Sequence, residues 1–297
     1  MKPKFTNNMK LVTTFLLTLG VSFSSVQAQG NDTTNEDKEK TEAQKNAEAL
    51  REAAQELDAA FLNLPEEKRL EYLKKRARAH SLFQNKRIFE TIPLIYEMQE
   101  IFPTDPQTYN LQGALYVELR QFKEAKECFD QALDLIGDDP KILFNVAELH
   151  FCSNNWAECL KRYDELKKKV PNMKNQLGYL IEFKMLLAHV ALSKDETLTK
   201  EKRDSHLAQA KDLSLRHTYL DDTPYYYYAN CALAFAIDDK AAAGNWVIKA
   251  RKVFGPTPER LSSWDDTLME FGYVPSHYGK HFSDEADTSL LGDAAEE

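Results

Sequence analysis

The chain has 297 residues, 29% of them charged and 43% hydrophobic, with a formal net charge of −9. An acidic balance argues against nucleic-acid binding, because phosphate contacts supply most of that affinity. Ten glycines leave little material for a phosphate-cradling loop, and the four cysteines contain no C-x-x-C pair, so neither a zinc ribbon nor a redox motif is indicated.

Residues 1–28 have the plan of a secretory signal. Lys2, Lys4 and Lys10 precede a mostly apolar run, Leu11 to Phe23, that is too short to span a bilayer. Val26-Gln27-Ala28 offers small residues where a signal peptidase reads, so cleavage after Ala28 is expected. Three lysines and no acids would leave with it, taking the charge from −9 to −12. The mature chain is then exported, periplasmic or secreted, with no stable membrane insertion. Residues 29–41 are polar and without apolar periodicity, which predicts a tether.

From Glu42 an amphipathic helix is predicted over 42–64. Ala43, Ala47, Leu50, Ala54, Leu57, Phe61 and Leu64 follow 4-3-4-3-4-3 spacing. Such a seam either pairs with another copy as a short coiled coil or folds back as a cap. Both readings stay open.

The clearest pattern is a 34-residue period over 106–173. The line from Pro106 to Asp139 carries Gly113, Tyr116, Ala125, Phe129 and Ala132. The line from Pro140 to Met173 carries Ala147, His150, Cys159, Tyr163, Leu166 and Pro171. Small side chains recur where helices must approach closely, and rings follow where a gap to the next repeat must be filled. A weaker line covers 72–105, with Ala79, Leu82, Thr91 and Ile95. Residues 174–223 hold helical patterns at 177–192 and 203–215, and 224–257 returns to the pattern with Cys231, Ala234, Ala243, Val247 and Ala250. Leu261, Trp264, Leu268 and Phe271 mark a last helix over 260–271 that should cover the final repeat. Residues 273–297 read as an acidic tail. Cys159 and Cys231 stand at small-residue positions, so buried free thiols are expected rather than a disulfide framework.

This period, with G-x2-Y, A-x3-F and a closing Pro, resembles the tetratricopeptide (TPR) repeat. The resemblance covers about residues 66–272 and implies an all-α solenoid of antiparallel helix pairs. It also implies a scaffold that binds protein along a concave face lined by the first helix of each repeat. Carried onto this chain, that face would hold Arg76, His80, Asn110, Lys141, Phe144, Asn145, Glu148, Phe151, Tyr225 and Tyr228. Amides and rings of this kind suit an extended peptide segment.

No catalytic constellation is legible, so a non-enzymatic role is expected, with no cofactor. His277 and His281 stand four apart in the tail with Gly279 between them, which reads as a solvated loop and not a metal site. A glycan-handling enzyme would need a placed acid pair, and none can be picked out. The main alternative is an oligomeric accessory subunit of an envelope assembly or division complex, associating through residues 42–64.

Overall fold

A computed structural model describes residues 42–170, 173, 175–255 and 259–274. The expected signal, tether and acidic tail lie outside these residues. The described residues form an all-α fold of twelve helices: α1 Glu42–Leu62, α2 Glu66–Gln84, α3 Ile88–Ile101, α4 Pro106–Glu118, α5 Phe122–Ile136, α6 Pro140–Cys152, α7 Trp156–Lys169, α8 Gln176–Ser193, α9 Lys200–Ser214, α10 Tyr225–Ala236, α11 Lys240–Phe254 and α12 Glu259–Phe271. They divide into two compact units, one of residues 42–149 and 164–170, the other of 150–163 and the described residues from 173 onward.

The repeat is written in the backbone. Lys86, Arg120 and Asn154 stand 34 residues apart and share left-handed backbone, with φ of 58° to 59°. Each is the middle residue of a three-residue link between consecutive helices. At each link the next N–H reaches back five residues: Arg87 to Leu82 O, Gln121 to Tyr116 O and Asn155 to His150 O, all at 2.9 Å. Lys86, Arg120 and Asn154 themselves donate to Phe83, Val117 and Phe151 carbonyls. This is the Schellman stop, which satisfies the orphan carbonyls of a helix end. Asp238 repeats it between α10 and α11, with φ 59° and Asp239 N donating to Ala234 O at 3.0 Å. The α8–α9 link, 194–199, is longer and lacks a left-handed residue.

Helix starts follow ordinary chemistry. Asp105 accepts from Gln107 N at 3.0 Å with Pro106 at the first helical position, and Asn175 accepts from Gly178 N at 3.0 Å. Thr199 caps α9, which therefore begins at Lys200, three residues before the apolar pattern suggests.

The small positions are helix contacts. Ala79, Ala125, Ala132, Ala147, Cys159, Cys231, Ala243 and Ala250 are fully buried. Gly113 lies against the Phe129 ring, and a Cβ added there would stand 2.5 Å from a ring carbon. All four cysteines are free thiols; Cys128 is half-buried and the rest are buried. Burial pushes the Cys128 thiol up to about 11 and Cys231 to about 12, so both are held as unreactive thiols.

In the first unit, Tyr72 is the centre of a buried polar cluster with Asp105 and Thr108. Its hydroxyl donates to Asp105 and lies 2.9 Å from Thr108 Oγ1, while Phe61 and Phe102 pack on its ring at 5.5 and 5.9 Å. Phe61 belongs to α1, so this contact seats the N-terminal helix. Along α1 and into the following turn the half-buried residues are Asn46, Leu50, Ala53, Leu57, Phe61 and Leu64, whereas Ala47 and Ala54 are exposed. That spacing averages 3.6, the period of a straight helix lying on a globular body, not the 3.5 of a coiled-coil seam.

Candidate interaction surface

Of the ten residues placed on the expected groove, seven are buried: Asn110, Phe144, Asn145, Glu148, Phe151, Tyr225 and Tyr228. Two of these side chains meet each other, Asn145 Nδ2 donating to Asn110 Oδ1 at 2.8 Å. Asn145 Oδ1 has no hydrogen-bond partner in this packing. Phe151 is covered edge-on by Trp156 at 5.4 Å, and Lys184 Nζ stands 4.6 Å over its ring. Tyr225 and Tyr228 are covered by α12, whose Trp264 lies 6.3 and 5.6 Å from their rings. Their hydroxyls are satisfied inside, by Leu213 O at 2.9 Å and Asp265 Oδ1 at 2.5 Å, and burial raises both phenols far above the ordinary range. The physical reason is the cap. The helix that closes the last repeat lies on these two rings and takes them out of reach of a partner.

Arg76 and Lys141 are exposed and His80 is half-buried. Burial, helped by the neighbouring Arg76, holds His80 below the usual histidine range, while Asp105 opposes the shift. Arg76 lies over the Tyr72 ring at 5.9 Å. On the same helix, Lys74, Lys75 and Arg78 face Glu90, Pro93, Leu94 and Glu97 across a cleft of about 390 Å³. Lys75 is ion-paired to Glu97 and Glu71, so the cleft carries both signs of charge.

The second unit displays a different kind of surface, which the sequence reading did not find. The link between α9 and α10 carries Leu215, Tyr219 and Leu220 with exposures of 78%, 65% and 79%. The rings beside it form a continuous array: Tyr219 lies 6.1 Å from Tyr226, Tyr226 5.6 Å from Trp246 and 5.3 Å from Tyr227. Lys249 Nζ stands 4.0 Å over Trp246. Tyr226 and Tyr227 are half-buried, so of four consecutive tyrosines the middle two reach solvent and the outer two face the core. The helical turn dictates this division, since Tyr225 and Tyr228 are three apart and share a face.

That link is held at both ends. Arg216 Nη1 and His217 Nε2 reach the two oxygens of Glu182 at 3.1 and 2.9 Å. A carboxylate only accepts, so His217 carries its proton on Nε2. The imidazole is wedged edge-on between Tyr179 at 4.8 Å and Tyr225 at 4.6 Å. Asp221 accepts from Thr218 N at 2.7 Å, which holds its carboxyl below the usual range. Arg260 Nη2 donates to Asp222 O at 3.0 Å and to its carboxylate at 2.8 Å. Three bulky apolar side chains therefore project from a tightly bonded link.

Among the described residues no helix is long and apolar enough to cross a membrane, and no group of three or more His, Cys, Asp or Glu is placed to hold a metal ion. In comparisons with known proteins, no family model, no curated protein and no solved structure matches this chain.

Proposed function

We propose that this chain is an exported, TPR-type scaffold of the cell envelope that captures an extended protein segment and carries out no chemistry of its own. The 34-residue period in the sequence and the same helix stop at Lys86, Arg120 and Asn154 support the repeat reading. The observation that carries the binding reading is the display of Leu215, Tyr219 and Leu220 beside Tyr226, Tyr227 and Trp246. Exposed apolar clusters rimmed by polar groups mark contact surfaces, and a link already fixed by hydrogen bonds loses little entropy when a partner binds. Tyr and Trp cover a partner's side chains while their polar tips stay wet.

The segment would lie across these rings, and the seven buried positions would not be its contacts. The experiment is capture of partners from the native compartment by crosslinking, comparing the mature chain with Tyr219→Ala/Leu220→Ala. Export is checked on the same material, since mass spectrometry of the native protein should find Gln29 at its start.

A second reading, self-association through α1, is favoured by one observation: no described side chain of α1 is buried. Light scattering of the mature chain, with and without residues 42–64, separates a fixed monomer from an assembly lost on deletion.

A further inference from the structure

α12 carries Arg260, Ser262, Ser263, Asp265, Asp266 and Glu270, yet no residue from Arg260 to Phe271 is exposed. Trp264 and Asp266 stand two apart and so point to nearly opposite sides of the helix, and they are only 2% and 8% exposed. A helix laid over the end of a repeat stack would show its charged side to water, and a core helix would be apolar all round. α12 does neither, because it lies in a groove.

The rings beneath it come from α6, α8 and α10. Trp264 lies 5.3 Å from Phe183 of α8 and 5.6 Å from Tyr228 of α10, whose hydroxyl donates to Asp265 at 2.5 Å. Two turns further on, Phe271 lies 6.3 Å from Phe151 of α6. Past the helix stop at Gly272, Tyr273 stacks on Phe235 of α10 at 4.6 Å. Leu261, Trp264 and Leu268 stand at i, i+3 and i+7, and Leu268 and Phe271 stand four and seven beyond Trp264. That is the spacing by which an amphipathic helix anchors in a groove. We propose that α12 is a resident ligand of this groove, and that the seat beneath it receives a partner helix when α12 lifts out. The partner helix carries the same Trp, Leu and Phe stripe with an acid beside the Trp, to meet the Tyr228 hydroxyl. On lifting, the carboxylates and serines of α12 regain water, so its apolar stripe supplies most of the hold. While α12 is seated the groove is filled, and the resting chain is left with the displayed rings around Tyr226. The helix seat is a separate site.

The test adds a fluorescent synthetic peptide of residues 259–273 to the full-length chain and follows its anisotropy. Wild type should take it up weakly, because only the fraction of chains with α12 lifted can bind. Trp264→Ala, still helical by circular dichroism, weakens the resident helix and should bind the peptide at least about tenfold more tightly. Phe271→Ala, a milder change at a half-buried position, should act in the same direction. A peptide with its Trp, Leu and Phe anchors replaced by Ala should bind neither chain. Adding Tyr219→Ala/Leu220→Ala to the Trp264→Ala chain should leave uptake unchanged. Hydrogen exchange of the unaltered protein gives a second readout: amides of 260–271 should exchange through an opening that leaves α8 and α10 protected. Uptake by both variants no tighter than wild type, uptake lost with Tyr219 and Leu220, or α12 exchanging only together with α8 and α10 would each overturn the proposal.

Discussion

His217 Nε2 lies 2.9 Å from a carboxylate oxygen of Glu182, and this bond fixes the exposed apolar link of the second unit to α8. Glu182 also receives Arg216 at 3.1 Å, so one carboxylate anchors two successive residues of the α9–α10 link. Replacing it by Gln removes the charge while keeping one acceptor. Glu182→Gln should lower unfolding stability by about 1–2 kcal/mol in a urea titration and make the amides of 215–223 exchange faster with solvent. Unchanged exchange there would mean that the link is held by its internal turns alone.

The left-handed residue at each helix stop gives a sharper test of the repeat. Arg120 has φ 59°, where an L side chain is strained and glycine is not. Arg120→Gly should raise stability by about 0.5–1 kcal/mol, and Arg120→Val should lower it by more than about 1 kcal/mol. A thermal melt of the two variants gives opposite signs if the turn is as described and the same sign if it is not.

Close packing at Gly113 predicts a third outcome. Because an added Cβ meets the fully buried Phe129 ring, Gly113→Ala should cost about 1–3 kcal/mol, despite alanine's better helix propensity. An alanine variant melting at or above wild type would contradict the contact.

These positions also show what could be read from the chain. Gly113, Ala125, Phe129, Ala147 and Cys159 announce themselves because close helix contact demands small side chains at a fixed period, and all are buried. The starts of α4 and α6 at Pro106 and Pro140 were legible for the same reason. The turns after α2 and α4 were not, because Lys86 and Arg120 occupy left-handed positions that a reader assigns to glycine or asparagine, whereas Asp238-Asp239 did mark the turn between α10 and α11. The groove residues were placed by the repeat pattern, which names the first helix of each pair but cannot say what covers it. Trp264 decides that for Tyr225 and Tyr228, from some forty residues further along the chain. The displayed link escaped notice because Leu215, Tyr219 and Leu220 sit between helices with no period to mark them. His189 and His206 likewise come together only once α8 and α9 pair.

The histidine pair makes stability depend on pH. His189 is held at about 4 in the folded chain, first by burial and then by His206, against an ordinary value of 6.5. The unfolded chain therefore takes up the proton first as pH falls. Stability should drop between about pH 6.5 and pH 4, by on the order of 2 kcal/mol from this group, and level off below. His189→Gln should flatten that slope by close to one proton. An equal slope in the variant would place the acid sensitivity elsewhere.

The central claim is that partner capture depends on the displayed rings and not on the enclosed positions of the repeat. The most direct measurement is quantitative crosslinking capture by the mature chain carrying Tyr219→Ala and Leu220→Ala, beside a control carrying Lys123→Ala and Lys126→Ala on α5. Both changed residues of the first variant are largely solvent-exposed, so its melting temperature should stay within a few degrees of wild type. The account predicts that this variant loses most of its captured partners, because central ring contacts carry a large share of binding energy, while the α5 control keeps them. A folded Tyr219→Ala/Leu220→Ala chain that recovers the same partners at wild-type yield would contradict it.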